Sequence, residues 1–516
     1  MALIGIDDIA MHIPRLFVDM RDFAALRSQD YDKLRKGLGL EAMAIPDAHE
    51  DTATMGANAV ARLIDRNALD PSRIGRLYLG TESALDGSKP TATYILEMLE
   101  MRYGRGVFRH CDVVDMTFAC IGAVDALHNT LDWVARGGLD QDRIGIVVFA
   151  DNAKYDLGST GEYTQGAGGG AMLIRHHPRL LAIEDRFGVS TKPVHDFFKP
   201  RRAVAVQELL SEALKLAREA GGDVSDDLVD AMMAKLGERT TERFGLFSDS
   251  PVVQVHKDTP VFDGQFSNTC YREAVKEAFV DFREQAMRDG RYDPAADPVL
   301  TEQWARILLH LPYAFQGKRM FPDVFRHERQ GLAMWQAVEA EIGPAPARPG
   351  EDASEADRLE AERAIEGYRR KVSKTEAYRT FVTERIERGQ RASSLIGNQY
   401  TGSLFLALMS TFESDLQDDT DLTGKRLGLC GYGSGAKAKV FEGIVQPQWR
   451  DVATQFRLFE RLQSRQAIGT DLYEDLHRGH RTDSVRAPDG EFVLAGIDRG
   501  GVREGARRYA WIDGTV

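Results

Sequence analysis

The chain has 516 residues, 43% hydrophobic and 28% charged, an ordinary globular composition with length for two core-bearing halves or a few domains. With 66 Lys and Arg against 79 Asp and Glu, the net charge of -13 argues against nucleic acid as the main partner, because phosphate binding needs a net basic face; a local basic patch is still compatible with it. The four cysteines, Cys111, Cys120, Cys270 and Cys430, show no C-x-x-C spacing, so neither a disulfide framework nor a metal site is expected. MALIGIDDIAMHIPRL carries no signal-peptide pattern, and no apolar run nears the roughly 20 residues that span a bilayer. A reduced, cytoplasmic setting away from membranes is expected.

In chain order, IGIDDIAMHIP reads as a strand and DTATMGANAVARLIDRN as a helix with apolar residues at helical spacing. RIGRLYLGTES is a strand into a loop, TYILEMLEMRYG a helix, RHCDVVDM a strand and IGAVDALHNTLDWVARGG a helix ending on glycines. RIGIVVFAD reads as a buried strand, and GAGGGAMLIRH as a glycine turn feeding another. Such alternation predicts a layered α/β architecture. The second half repeats the theme: NQYTGSLFLALMSTFES is helical, KRLGLCGYGSG a strand into a glycine loop, and AKAKVFEGIV a further strand. The two glycine segments, near the ends of their halves, hint at an internal duplication.

Two stretches interrupt this pattern. Residues 202 to 255 hold the helical AVQELLSEALKLAREAGG and a second helix around DDLVDAMMAKLGER. Residues 321 to 394 hold a PAPARPG linker and then a charged helical run, read as a solvated hairpin or as a lid or docking element. The expected division is an N-terminal half over 1–200, a helical insertion over 201–260, and a C-terminal half over 261–516 with a second insertion at about 321–394.

Cys120 stands at a strand-to-helix turn, where helix amides and the helix dipole favour thiolate over thiol; a lowered pKa and a nucleophile are expected, against the plainer alternative of a buried core cysteine. Cys111, within its strand, and Cys430 take that plainer role, and Cys270 reads as a helix-face residue. A thiol that makes and breaks acyl bonds needs a proton carrier and an oxyanion site. Glu82, just past a strand end in LGTESALD, and His310, ending the apolar run before a proline in ILLHLPY, stand at element boundaries where such groups are found. Gly433 and Ser434 of GYGSG could lend backbone N–H groups. Each also has an ordinary structural reading.

Taken in order, the blocks IGIDDIAMHIPRLFVDM, MGANA, LGTESALDGSK, DMTFAC, FADNAKYDLGSTGEYTQGAGGGAM, HDFFKP, DGQFSNTCY, HLPY, GNQYTGSLFLALMS and GYGSG resemble the 3-hydroxy-3-methylglutaryl-CoA synthase family over nearly the whole chain. The resemblance implies a thiolase-like fold, two duplicated α/β halves in αβαβα layers, and a homodimer. It implies that Cys120 is acetylated by acetyl-CoA, that Glu82 removes a proton from the acetyl methyl group, and that His310, with Asn398 beside it, positions the acetoacetyl acceptor. The amides of Cys120 and Ser434 would hold the thioester oxyanion, Asp151 and Asp196 would orient the site, and Tyr313 and Lys318 would contact substrate. No metal or redox cofactor is required. The product would serve isoprenoid supply through mevalonate, or a polyketide pathway.

Two departures stand out. The family commonly has a lysine shortly after H-x-P-[FY], associated with CoA phosphate, where this chain has Phe315; Lys318 or Arg319 could take over that contact. The helical stretches also lengthen the chain and could reshape the entrance or bind an acyl carrier protein. Rival readings are a β-branching synthase acting on a carrier-bound β-keto polyketide, a ketoacyl synthase, and a non-catalytic thiolase-fold scaffold.

Overall fold

The computed structural model of the chain describes residues 3–137, 143–239, 252–347, 349–350 and 352–514. Its frame is a nine-stranded mixed sheet of β1 (Ile4–His12), β2 (Ile74–Gly80), β3 (Asp112–Met116), β4 (Ile144–Ala153), β5 (Gly166–His176), β6 (Leu181–Thr191), β7 (Trp304–Leu309), β8 (Arg426–Gly433) and β9 (Lys437–Val445). The spatial order is β7-β8-β9-β6-β1-β5-β4-β2-β3. Outward from β1, the successive pairings with β5, β4, β2 and β3 are antiparallel, antiparallel, parallel and parallel. Outward from β6, those with β9, β8 and β7 are antiparallel, antiparallel and parallel. Among the described residues the second half therefore repeats the first without a counterpart of β3. A narrow seam, Gly5 with Ala182 and Ile6 with Leu181, joins the halves.

Helices α1 (Thr52–Arg66) and α2 (Thr91–Tyr103) pack on the first half, α1 starting at an Asp51–Thr54 capping box that satisfies its first amides. Helix α3 (Gly122–Arg136) lies centrally. Helices α4 (Val206–Glu219) and α5 (Asp226–Arg239) follow a short strand, Arg201–Ala205, that pairs with Val252–His256. Helix α6 (Gly264–Arg288) covers the second half, its Phe279 and Phe282 packing on Trp304. After α7 (Glu355–Val372), α8 (Glu376–Arg385) and α9 (Glu387–Ile396) comes α10 (Ser403–Gln417). Helices α3 and α10 share one core with both halves: Val124 and Leu127 meet Leu404, Phe405 and Phe412 among Phe149 and Met172 of the first half and Leu427, Leu429 and Phe441 of the second. Helix, sheet half, central helices, sheet half and helix give the αβαβα order expected of a thiolase-like fold.

Three local expectations change. The glycine run at 166–170 is part of β5, not a turn before it: a Cβ on Gly169 would lie 2.6 Å from the Met55 carbonyl carbon and one on Gly166 2.5 Å from the Ile396 carbonyl oxygen, so glycine lets helix and loop backbones press against the strand. Cys111 precedes β3 and is not within it. The charged run is not simply solvated. Tyr378, Phe381 and Val382 of α8 and Ile386 after it recur at helical spacing among the charges and are buried in the second core, while α9 buries Ala392 and Ile396 in the first.

A C-terminal hairpin, β10 (Glu491–Ile497) with β11 (Arg507–Ile512), folds back onto α1. Phe492 N donates to Asn58 Oδ1 at 2.7 Å, and Arg507 and Tyr509 donate to Asp51. Among the described residues, no helix is long and apolar enough to cross a membrane.

Candidate active site

The first half supplies a turn that leaves little room for alternatives. Between β3 and α3, Ala119 adopts φ 40°, a left-handed conformation that non-glycine residues rarely take, and so presents Cys120 on a sharp elbow. The end of β2 presses close beside it, since a Cβ on Gly80 would lie 2.2 Å from Ala123 N. This brings Glu82 to the elbow. Cys120 Sγ donates to Glu82 Oε1 at 3.1 Å.

The charge state of this pair differs from the sequence expectation. The turn amides of Ile121 and Gly122 are engaged by the Phe118 and Ala119 carbonyls. Burial, together with the carboxylate of Glu82, pushes the Cys120 thiol well above its ordinary value. Glu82 is itself pushed up to about 7, burial raising it and Lys199 opposing the rise. The resting pair is thus a protonated thiol hydrogen-bonded to a carboxyl group poised near neutrality, which suits proton transfer at physiological pH.

Asp151, fully buried in β4, fixes this arrangement to the other half. Its Oδ1 accepts from Glu82 N and Thr81 Oγ1, each at 2.9 Å, and its Oδ2 accepts from Thr401 N at 3.1 Å and from Thr401 Oγ1. Thr401 follows Asn398, whose Oδ1 accepts from Tyr400 N at 2.8 Å. Asp196 does similar work for the GYGSG loop: Tyr432 Oη donates to it at 2.9 Å and Gly435 N at 2.7 Å. That loop lies against the elbow, for a Cβ on Gly433 would fall 2.5 Å from Phe118 O and 2.9 Å from Ile121 N.

His310 follows β7 and is buried, with its N–H donating to Cys430 O at 3.1 Å and its carbonyl accepting from Tyr271 Oη at 2.9 Å. Its ring faces Tyr271 and Tyr432, and Nδ1 has no hydrogen-bond partner among the described residues. Burial lowers its pKa to about 3, so the imidazole is neutral near pH 7 and can donate or accept one hydrogen bond without carrying charge.

A cleft of about 1060 Å³ opens over the elbow, lined by Glu82, Lys89, Ala119, Lys199, Arg201 and Ser434. Its lining sets the basic Lys89, Lys199 and Arg201 beside the acidic Glu82, Asp86 and Asp115. Tyr313 and Lys318 do not line it. The Lys318 ammonium sits 3.2 Å from the centre of the Phe315 ring, and Tyr313 packs near Arg319. Sequence reasoning missed Lys199, whose ammonium donates to Glu82 O at 3.2 Å and rests over the Tyr400 ring. Its only signal was its place in HDFFKP. Tyr155 was missed too; burial, with Cys120 and Glu82 close by, pushes its hydroxyl up and keeps it protonated.

A duplicated αβαβα fold with a cysteine on a strand-to-helix elbow and a carboxyl group in contact with it defines an acyl-transferring enzyme of the thiolase type. Comparison with known proteins narrows the class. The family model described as hydroxymethylglutaryl-coenzyme A synthase N terminal matches residues 2–178, and its C-terminal counterpart matches residues 251–484. A hydroxymethylglutaryl-CoA synthase of Haloferax volcanii is 31% identical over 520 residues, covering 99% of this chain and 100% of the relative. One from Enterococcus faecalis is 27% identical, covering 85% and 82%. Among solved structures, MvaS in complex with 3-hydroxy-3-methylglutaryl coenzyme A is 27% identical with TM-score 0.73 and full coverage of both chains. The curacin pathway HMG synthase in complex with acetyl donor-ACP is 19% identical with TM-score 0.68, covering 99% of this chain and 100% of that one, a likeness of fold. The chain belongs to the hydroxymethylglutaryl-CoA synthase family.

Proposed function

We propose that this enzyme condenses an acetyl thioester with acetoacetyl-CoA to give 3-hydroxy-3-methylglutaryl-CoA, through an acetyl group carried on Cys120. The observation that carries this reading is the 3.1 Å contact between Cys120 Sγ and Glu82 Oε1. The Cys120 thiol attacks the acetyl carbonyl, and its proton passes by way of Glu82 to the departing CoA sulfur. Glu82, again a carboxylate, then removes a proton from the acetyl methyl group, whose pKa lies far above neutrality. Fixed donors must therefore hold the enolate oxygen, and the Cys120 and Ser434 amides are assigned that role. The enolate carbon attacks the acceptor ketone, which neutral His310 and Asn398 hold. The new alkoxide takes back the proton that Glu82 removed from the methyl group, and water hydrolyses the Cys120 thioester, releasing the product carboxylic acid and the free thiol. Atoms balance without a metal or redox cofactor. Asp151 and Asp196 act as positioning groups, while Tyr313 and Lys318 are assigned to substrate through the family resemblance alone.

Intact-protein mass spectrometry of wild type and Cys120→Ala after acetyl-CoA, followed by an acetoacetyl-CoA chase, tests this. An acetyl adduct on wild type only, discharged as hydroxymethylglutaryl-CoA, is expected; an adduct on the variant, or none on either, refutes it.

A second reading, an acyl carrier protein in place of CoA, is favoured by the α4–α5 segment. It falls outside the matched family models, and its flanking Arg201 and His256 line the cleft. An adduct that acetoacetyl-CoA fails to discharge, but a carrier-bound β-keto thioester does, would select it and move the pathway from mevalonate and isoprenoid supply to polyketide branching. The outer edge of β3, which has no strand partner among the described residues, supports a homodimer, and four free cysteines support a cytoplasmic setting.

A further inference from the structure

Where the C-terminal hairpin meets the first half, three chain segments bury a cluster of nitrogen and carboxylate ligands. His12 closes β1, Glu50 precedes the capping residue of α1, and Glu491 opens β10. His12 Nε2 lies 2.6 Å from Glu50 Oε1, and one ligand atom from each of the three residues falls within 4.8 Å of the others. His12 and Glu491 are 4% and 6% exposed.

A second observation points into the same space. His49, 6% exposed, engages Ser484 Oγ through Nδ1 at 2.8 Å, while its Nε2 has no hydrogen-bond partner among the described residues and stands 3.6 Å from Glu491 Oε1. With Ser484 Oγ engaged at Nδ1, Nε2 is the ring nitrogen left to face the Glu491 carboxylate. A cation between them gives Nε2 the partner it lacks, and a polar group hydrogen-bonded to the far nitrogen orients a metal-binding imidazole. Arg15 at 2.5 Å and Asp489 N at 3.2 Å donate to Glu491 Oε1 and fix its carboxylate at the cluster. The Glu50 carboxylate is held by Asp47 N at 2.8 Å. Asp47 and Glu50 also line a small pocket of about 170 Å³, a path from solvent for an ion.

We propose that His12, His49, Glu50 and Glu491 form a binding site for a divalent transition cation of the zinc class, separate from the reaction. Two imidazoles and two carboxylates match the ligand set and coordination number such an ion prefers. The bound ion staples residues 484–491 to the end of β1 and the start of α1. No spacing rule could have signalled it, since the ligands come from three distant segments.

The test uses the full-length, tag-free chain stripped with EDTA. Zn²⁺ is titrated calorimetrically, and Co²⁺ is followed by its visible d–d absorption, with thermal unfolding recorded alongside. Expected are stoichiometric binding, a tetrahedral Co²⁺ spectrum and a raised unfolding midpoint. Glu491→Gln and His12→Gln should lose all three, and Ser484→Ala should bind about 10-fold more weakly. His49→Gln, which leaves the Arg15–Glu491 ion pair in place, should also lose the tetrahedral spectrum. Circular dichroism and acetylation of Cys120 by acetyl-CoA report that each variant is folded. Absence of stoichiometric binding to wild type, or equal binding by wild type and the folded variants, overturns the proposal.

Discussion

Glu82 should impose its own titration on the condensation step. Its carboxyl is pushed up to about 7, and the carboxylate is the form that removes the methyl proton, so activity is present above that value and is lost as pH falls through it. Roughly a tenth of the sites are ionised at pH 6 and roughly nine tenths at pH 8, so the rate should rise about tenfold between them. Acetylation removes the thiol that donates to Glu82, one of the influences lowering its pKa, and therefore does not bring the midpoint down. The assay is single-turnover: pre-acetylated enzyme is mixed with acetoacetyl-CoA, quenched at intervals and scored for hydroxymethylglutaryl-CoA across pH. Replacing Lys199, the cation that opposes the rise, by methionine should move the midpoint up by about one unit. A wild-type profile flat down to pH 6, or a midpoint unmoved in Lys199→Met, would refute the assignment of Glu82 as the base.

Glu82→Ala removes the relay for the Cys120 proton and also the carboxylate that holds the thiol up, so acetylation from acetyl-CoA should slow yet stay detectable while condensation falls by about 10²- to 10⁴-fold, read by mass spectrometry and product formation on the same sample; intact condensation would overturn the division of roles. Gly433→Ala should cost about 1–3 kcal/mol in denaturant unfolding and slow acetylation, because its Cβ meets backbone at 2.5 Å and the elbow cannot yield as a flexible side chain would. Asp151→Asn places an amide donor among groups that all donate to it, so stability should drop by about 1–3 kcal/mol and single-turnover condensation should slow, with Cys120 acetylation the less affected of the two.

The strands and helices around the elbow were legible because their periodicity is local: β2, β3, β4 and α3 each announce themselves within a dozen residues. Glycine misled where its role is to let another backbone approach, as at Gly169 beside Met55, since the neighbour that requires it lies far away in sequence. The charged run of 355–396 hid an apolar face because two of every three residues of α7 do face solvent, and only tertiary packing picks out Tyr378 and Phe381 of α8. At the site, the nearness of Cys120 and Glu82 followed from ordered motifs, but their protonation did not. A helix N-terminus argues for a thiolate; enclosure beside a carboxylate argues the other way and prevails. Lys199 was invisible for the same reason, being one lysine in a loop until the fold lays it on Glu82.

The two buried aspartates set the timing of reactivity during biosynthesis. Asp151 needs Thr401, and Asp196 needs Gly435, before Glu82 and the GYGSG loop are held in place. A nascent chain that has emerged through Cys120, or even through β6, therefore carries a thiol without an ordered proton carrier or acceptor pocket. Acyl groups met at that stage find no competent machine, and the enzyme switches on only when the last third of the polypeptide has closed over the first.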